Sequence, residues 1–278
     1  MTLQQLKGSL FAELERLPEA EYESYLILEH FLDTDRSRIL ENPNLEIPDS
    51  LADAVLQTAK QRTDSEMPLA YLLSESPFFG MKFHVNPHCL IPRSDSEFLV
   101  EAACALLHPG DRFADLCTGS GCLAIAILAN TEKTHCFAVD ISDRALWAAK
   151  ENAKRHQVLS RITLCQNDIC SSSFAHSIGS FDLLISNPPY IRSAELPFLE
   201  AQVQHEPLIA LDGGKDGMDF YRTIADLWLR HVRPGGHILL EAGYDTTLPC
   251  AALFESLGKK CDVLYDFGNI PRVVHVYV

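Results

Sequence analysis

Three things are missing from the 278 residues: a CxxC pair, a basic stripe, and an apolar run of the ~20 residues that a membrane span needs. Nine cysteines are present, an odd number, with no paired spacing and no clustered metal ligands. They read as reduced thiols, so no metal site and no disulfide framework is expected. At this length a core can be stable without either. The opening stretch MTLQQLKGSLFAELERL is amphipathic and acidic, unlike a secretory or transit peptide, and a cytoplasmic chain without membrane contact is expected. Basic residues are outnumbered, 23 Lys and Arg against 38 Asp and Glu, for a net charge of −15. Such a chain repels a phosphate backbone, which disfavours direct nucleic-acid binding. The acidity is uneven: residues 1–78 hold 15 acidic and 6 basic side chains.

What is present falls into three parts. Leu3, Leu6, Leu10, Leu14 and Leu17 recur three or four apart, a helical stripe, and Tyr22, Tyr25, Leu26, Phe31 and Leu32 mark a second helical stretch behind Pro18. Asp49 and Ser50 precede a further helical run, LADAVLQTAKQ. Residues 1–75 therefore read as a small helical bundle, either a packing appendage or a docking module for a macromolecule. Residues 76–91 hold short β-prone runs broken by Gly80 and Asn86-Pro87, a hairpin linker. From 92 to 278 strands and helices alternate. Strands are expected at 112–116, 135–140, 162–166, 181–187, 237–242, 261–267 and 273–278, and helices at 121–130, 142–156, 217–231 and 247–257. Continuous apolar strands separated by helices predict a seven-stranded, mostly parallel α/β sheet covered on both faces. The short GNIPR turn makes the last strand antiparallel.

FADLCTGSGCLAIAILA reads as strand, tight turn and helix. Gly119 and Gly121 let backbone approach a ligand, and the following helix N-terminus presents free N–H groups. Asp140 closes the next strand, placed to accept from ribose hydroxyls. Gly119, Gly121, Ala124 and Asp140 also satisfy the dinucleotide pattern with its acidic residue about 20 positions on, so an NAD-dependent oxidoreductase stays open. A tight turn without ligand is the plain alternative. Asp115 inside the strand end and Asp168 after the third strand favour a cationic nucleoside, S-adenosylmethionine: one carboxylate for its amino group, the other for adenine's exocyclic amine.

The strand FDLLISN ends in Asn187-Pro188-Pro189-Tyr190. An amide nitrogen is a poor nucleophile, because its lone pair is delocalised. Holding its NH₂ by both hydrogens aims the nitrogen at an electrophile. Asn187's side-chain carbonyl and Pro188's backbone carbonyl supply two acceptors, stiffened by prolines that carry no N–H. Tyr190 can pack on the flat group being held. The plain alternative is a proline-stiffened strand exit.

These segments resemble the HemK/PrmC family of class I S-adenosylmethionine-dependent methyltransferases. The likeness runs over nearly the whole chain, through PLAYLL (68–73), CLIPRSDSEFLVE (89–101), DLCTGSG (115–121), SNPPYI (186–191), LDGGKDGMDFYR (211–222) and RPGGHILLEAG (233–243). It implies a Rossmann-like methyltransferase fold, and methylation of the glutamine amide in the Gly-Gly-Gln motif of class I peptide chain release factors, by a monomer. By this resemblance Cys117, Thr118, Gly119, Ser120, Gly121, Asp140 and Asn187 line the cofactor site, with Asp168 or Ile169 along the adenine. Asn187, Pro188, Pro189 and Tyr190 bind the substrate glutamine. Arg93 supports the methionine end or the entrance, or is a surface ion pair. NPPY is shared with nucleic-acid adenine N-methyltransferases, the second reading. Three positions depart from the family pattern. Cys117 replaces the first glycine of the turn, which is tolerable if its φ stays negative. Ser94 stands where proline often follows Ile-Pro-Arg, and Ile169 where an aromatic is common. His84, His88 and His205 are expected to be structural or exposed, and Asp212–Asp219 to be a loop over the site.

Overall fold

The computed structural model describes residues 1–266 and 268–278. The chain divides into two compact units, Met1–Glu75 with Glu200–His205, and Ser76–Leu199 with Glu206–Val278. Nothing in the sequence marks residues 200–205 as belonging with the first unit. No described helix is long and apolar enough to cross a membrane.

The first unit holds helices α1 (Leu3–Leu14), α2 (Ala20–Leu32), α3 (Arg36–Glu41), α4 (Asp49–Ser65) and α5 (Leu69–Leu73). Thr2 opens α1 with a reciprocal capping box to Gln5, which satisfies two otherwise orphaned N–H groups. The leucine stripe Leu3, Leu6, Leu10 and Leu14 is buried against Ile27 and Leu28 of α2 and Val55 and Ala59 of α4. One buried pair was not visible in the periodicity. Arg62 of α4 donates from Nε and Nη2 to Glu23 of α2 at 3.0 and 2.9 Å, with side chains 1% and 11% exposed.

In the second unit a two-stranded sheet, β1 (Glu75–Phe78) and β2 (Met81–His84), precedes α6 (Glu97–Leu106). Then follow β3 (Arg112–Leu116), α7 (Cys122–Asn130), β4 (His135–Asp140), α8 (Asp143–Arg155), β5 (Ile162–Gln166), α9 (Ser172–Ala175), β6 (Phe181–Ser186), α10 (Asp219–Thr223), β7 (Val232–Glu241), α11 (Thr247–Ser256), β8 (Lys260–Tyr265) and β9 (Pro271–Tyr277). The seven-stranded sheet runs β5-β4-β3-β6-β7-β9-β8. Strands β3 to β7 are parallel, and β9 pairs antiparallel with both β7 and β8. This is the expected Rossmann-like α/β architecture. One face is covered by α6, α7 and the hairpin residues Phe78 and Phe83. The other is covered by Tyr221, Ile224, Trp228 and α11.

Two elements differ from the sequence reading. The helix expected at 217–231 is α10 followed by a π-helical turn, Ile224–Trp228, and a 3₁₀ turn. The wider turn puts Ile224, Ala225 and Trp228 in the core together. Strand β7 begins five residues early, because Gly235 and Gly236 allow an irregularity opposite Asp182, where a Cβ on Gly236 would lie 2.6 Å from a carbonyl oxygen. The strand expected to reach residue 267 is described to Tyr265; Phe267 lies outside the described residues.

The buried Glu23–Arg62 pair sets an expectation for the helical unit. Glu23→Ala strands a guanidinium and should cost about 3–5 kcal/mol, whereas Glu23→Leu with Arg62→Met should be neutral or stabilising. Thermal unfolding followed by circular dichroism distinguishes the two; a single variant as stable as the double contradicts the role of the pair.

Candidate active site

Strand order reverses at β3, which has β4 on one side and β6 on the other. Ligands of open parallel sheets sit beyond the carboxyl ends of strands at such a point. The register Leu116↔Ser186 brings the Gly-rich turn and Asn187 out of adjacent strands at the same level. Ser186 Oγ donates to the Leu116 carbonyl at 2.7 Å and ties the two exits together.

A cleft opens there. Its lining includes Cys117, Thr118, Gly119, Ser120, Asp140, Asp168, Ile169, Asn187 and Pro189 from the residues singled out in the sequence. Gly121, Pro188, Tyr190 and Asp115, the last expected beside the ligand's amino group, are not part of that lining. Gly121 has φ +77°, and a Cβ there would meet Ile125 and Ala149 at 2.9 and 3.0 Å, so it sets the packing of α7 on α8. Gly119, at φ +56°, has open space where its Cβ would be. Cys117 departs from expectation: its φ is +60°, not negative. The left-handed conformation costs an L-residue about 1–2 kcal/mol, so the turn carries strain that glycine would avoid.

The acidic residues are already partly engaged. Asp140 accepts from the Gly119 and Ser142 N–H groups at 2.8 and 2.9 Å, one on each oxygen. It therefore shapes the turn, and each oxygen keeps a lone pair for a hydroxyl. Burial raises its pKa, against the pull of those backbone bonds. Asp115 is fully buried; one oxygen accepts from Thr118 Oγ1 at 2.5 Å and the other has no hydrogen-bond partner. Desolvation pushes its pKa up to about 7. Asp168 accepts from the Cys170 N–H at 2.8 Å, and Ile169 is buried while its carbonyl accepts from Trp228 Nε1 at 2.9 Å.

Asn187 is half-buried at the cleft wall, and its Nδ2 donates to Ser96 Oγ at 3.3 Å. Among the described residues no backbone N–H donates to the Pro188 carbonyl. The stretch 211–219 does not lie over the cleft. It straps the chain behind NPPY: Ile191 N–H donates to the Leu211 carbonyl at 2.9 Å, and Gly213 N–H to the Ile191 carbonyl at 2.8 Å. A Cβ on Gly213 would sit 2.6 Å from the Tyr190 Cα, and one on Gly217 would sit 2.4 Å from the Tyr190 oxygen. The Tyr190 ring packs near Gly243 rather than in the cleft. Burial, and then the nearby Glu241 charge, raise the Tyr190 pKa.

Several contributors carried no local signal. Asn152 of α8, fully buried, donates to the His84 and Ser120 carbonyls, both at 2.9 Å, and accepts from the His84 N–H. It fastens hairpin and Gly-rich turn to one helix. Arg93 pairs with Glu206, whose buried carboxylate also accepts from the Ile91 N–H at 3.0 Å. His88 is exposed, as expected, and stands at the cleft beside Arg144. Among the described residues no group of three or more His, Cys, Asp or Glu could hold a metal ion.

Comparison with known proteins places this geometry. The family described as "Methyltransferase small domain" matches residues 94–204, and "PrmC N-terminal domain" matches residues 8–73. A release factor glutamine methyltransferase of Moorella thermoacetica is 34% identical over 283 residues, covering 100% of this chain and 99% of the relative. Another, from Nitratidesulfovibrio vulgaris, is 36% identical and covers 97% and 94%. A methyltransferase structure from Pyrococcus furiosus shares the fold, with a TM-score of 0.53 at 17% identity over 72% of this chain and 89% of that one.

The strap makes a stability expectation. Gly213→Ala should cost about 1–3 kcal/mol through overpacking against backbone. Gly119→Ala, with open space, should cost only the left-handed penalty of about 1 kcal/mol. Urea unfolding of the two variants tests this; a Gly213→Ala protein as stable as the wild type contradicts the strap.

Proposed function

The chain belongs to the release factor glutamine methyltransferase family, and from that premise we propose that it methylates the side-chain amide nitrogen of the glutamine in the Gly-Gly-Gln motif of class I peptide chain release factors. The methyl donor in this reading is S-adenosylmethionine. The observation that carries it is the exit of Asn187 from β6 beside the Gly-rich turn of β3, facing one cleft.

The residues present fit that donor. Open space at Gly119 admits a ligand against backbone, and the Asp140 oxygens, each with one N–H donor, keep lone pairs for hydroxyls. Cys117, Thr118, Gly119, Ser120, Asp140, Asp168 and Ile169 would hold it, with Asp140 toward the ribose and Asp168 and Ile169 toward the adenine. Bound there, S-adenosylmethionine supplies a methyl group on a sulfonium, an electrophile whose charge suits an acidic cleft.

The chain's own contribution is alignment. Asn187 Oδ1 and the Pro188 carbonyl accept the two hydrogens of the substrate carboxamide and fix its nitrogen in line. Pro188 and Pro189 keep the acceptors rigid, because their φ is restricted and they offer no competing N–H. Tyr190, held by Gly213, Gly217 and Gly243, fixes the far end of the tetrapeptide beside the substrate. Positioning of this kind supplies much of the rate in a displacement. In the same reading the acidic helical unit, residues 1–75, docks the release factor, residues 76–91 link it to the methyltransferase domain at 92–278, and the protein acts as a cytoplasmic monomer.

Mass spectrometry of a release factor incubated with the protein and isotope-labelled cofactor tests the reading. The expected result is one added methyl on the Gly-Gly-Gln glutamine, with Asn187→Ala slowing transfer about 100- to 1,000-fold. Parallel incubations with DNA and RNA are expected to stay unlabelled; label confined to adenine would instead favour the nucleic-acid alternative.

A further inference from the structure

Asn187 serves as an acceptor only in one orientation of its carboxamide. Rotated by half a turn, it would meet a substrate NH₂ donor to donor. Something must set the orientation, and the fold supplies it from the neighbouring strand. The register Ser186↔Leu240 puts Glu241, the last residue of β7, alongside Asn187. The Glu241 side chain is buried, the residue being 2% exposed, and its Oε2 has no hydrogen-bond partner. The Ser96 hydroxyl and the Asn187 carboxamide are near enough to its carboxyl group to oppose the rise in its pKa. Ser96 Oγ in turn accepts from Asn187 Nδ2. Both neighbours of the Asn187 carboxamide can thus take its hydrogens.

An ionised carboxylate only accepts, so the face of Asn187 turned toward it must be the NH₂ end. We propose that Glu241, with Ser96, is a positioning residue that turns the Asn187 NH₂ inward and leaves Oδ1 facing the cleft. The inference rests on the proposed methyl transfer to a carboxamide and adds a residue to it. Glu241 is held in turn at its backbone, where the carbonyl accepts from the Tyr221 hydroxyl at 2.9 Å.

The same geometry predicts a pH response. Burial pushes the Glu241 pKa up to about 7, with Asp95 adding to the rise; Ser96, Arg272 and Asn187 oppose it. The charged or titratable groups around it are Asp95 from the turn before α6, and Arg272 of β9, which pairs with Asp95 at 2.8 Å. Tyr190 after β6, Tyr221 of α10 and Cys122 of α7 also lie near it. Protonated Glu241 can donate to Oδ1 and hold the amide the wrong way round. Turnover at saturating cofactor and peptide therefore rises as pH climbs through about 7, when Glu241 ionises.

The experiment is steady-state transfer by the full-length protein to a Gly-Gly-Gln peptide across this pH range, with calorimetry of S-adenosylhomocysteine binding. Glu241→Gln offers either end of an amide to Asn187, so kcat should fall about 10- to 100-fold. The rise through neutral pH should vanish, with product affinity and peptide KM changed less than about threefold. Ser96→Ala should lower kcat but keep the rise. Unchanged kcat in both variants, or an intact pH rise in Glu241→Gln, overturns the inference while leaving glutamine methylation standing. A wild-type protein that methylates no glutamine overturns both.

Discussion

A neutral carboxamide attacks carbon poorly, because its lone pair belongs largely to the carbonyl. On the proposed reading the governing constraint is geometric: two oxygen acceptors must grip an NH₂ group from fixed positions next to a bound electrophile. The structure around Asn187 would keep that proposed grip still. The side chain sits at the end of a buried parallel strand, and its position is pinned through the Leu116↔Ser186 register and the Ser186 hydrogen bond. Two prolines remove the backbone donors that would compete for the acceptors.

The support extends well beyond the tetrapeptide. Glycines at 213 and 217 are small because backbone passes where a Cβ would be, so the 211–219 strap lies flush against Tyr190. At the Gly-rich turn, Asp140 pulls the Gly119 N–H toward β4 while Asn152 binds the Ser120 carbonyl from α8. The turn is thereby fixed by side chains from two elements, which also accommodates a left-handed Cys117. Buried carboxylates at Asp115 and Glu241 are both pushed toward neutral pKa values by desolvation. The folded state binds protons there that the unfolded chain has released, so together they make the ligand-free protein more stable as pH falls from about 7 toward 5.

The alternation of strand and helix was legible because parallel strands covered on both faces are continuous apolar runs, as in FDLLIS and HILLE. The two motifs at the cleft stood out for a related reason: Gly119 and the diproline break the apolar pattern of the strands they end. What escaped was set by tertiary contact. Periodicity at 217–231 fits a plain helix, and only Trp228 reaching the Ile169 carbonyl reveals the core that accompanies the π turn. Asn152, Glu206, Arg62 and Glu241 are single polar residues whose partners lie far along the chain. The Gly-rich stretch at 211–219 carried a clear signal, yet composition alone could not distinguish a loop over the cleft from a strap beneath its wall.

The most direct measurement is a crystal structure of the protein with S-adenosylhomocysteine and a Gly-Gly-Gln peptide. The glutamine nitrogen is expected at about 2.9 Å from both Asn187 Oδ1 and the Pro188 carbonyl oxygen. A glutamine side chain bound elsewhere in the cleft, with neither oxygen in hydrogen-bonding reach, would contradict the two-acceptor grip.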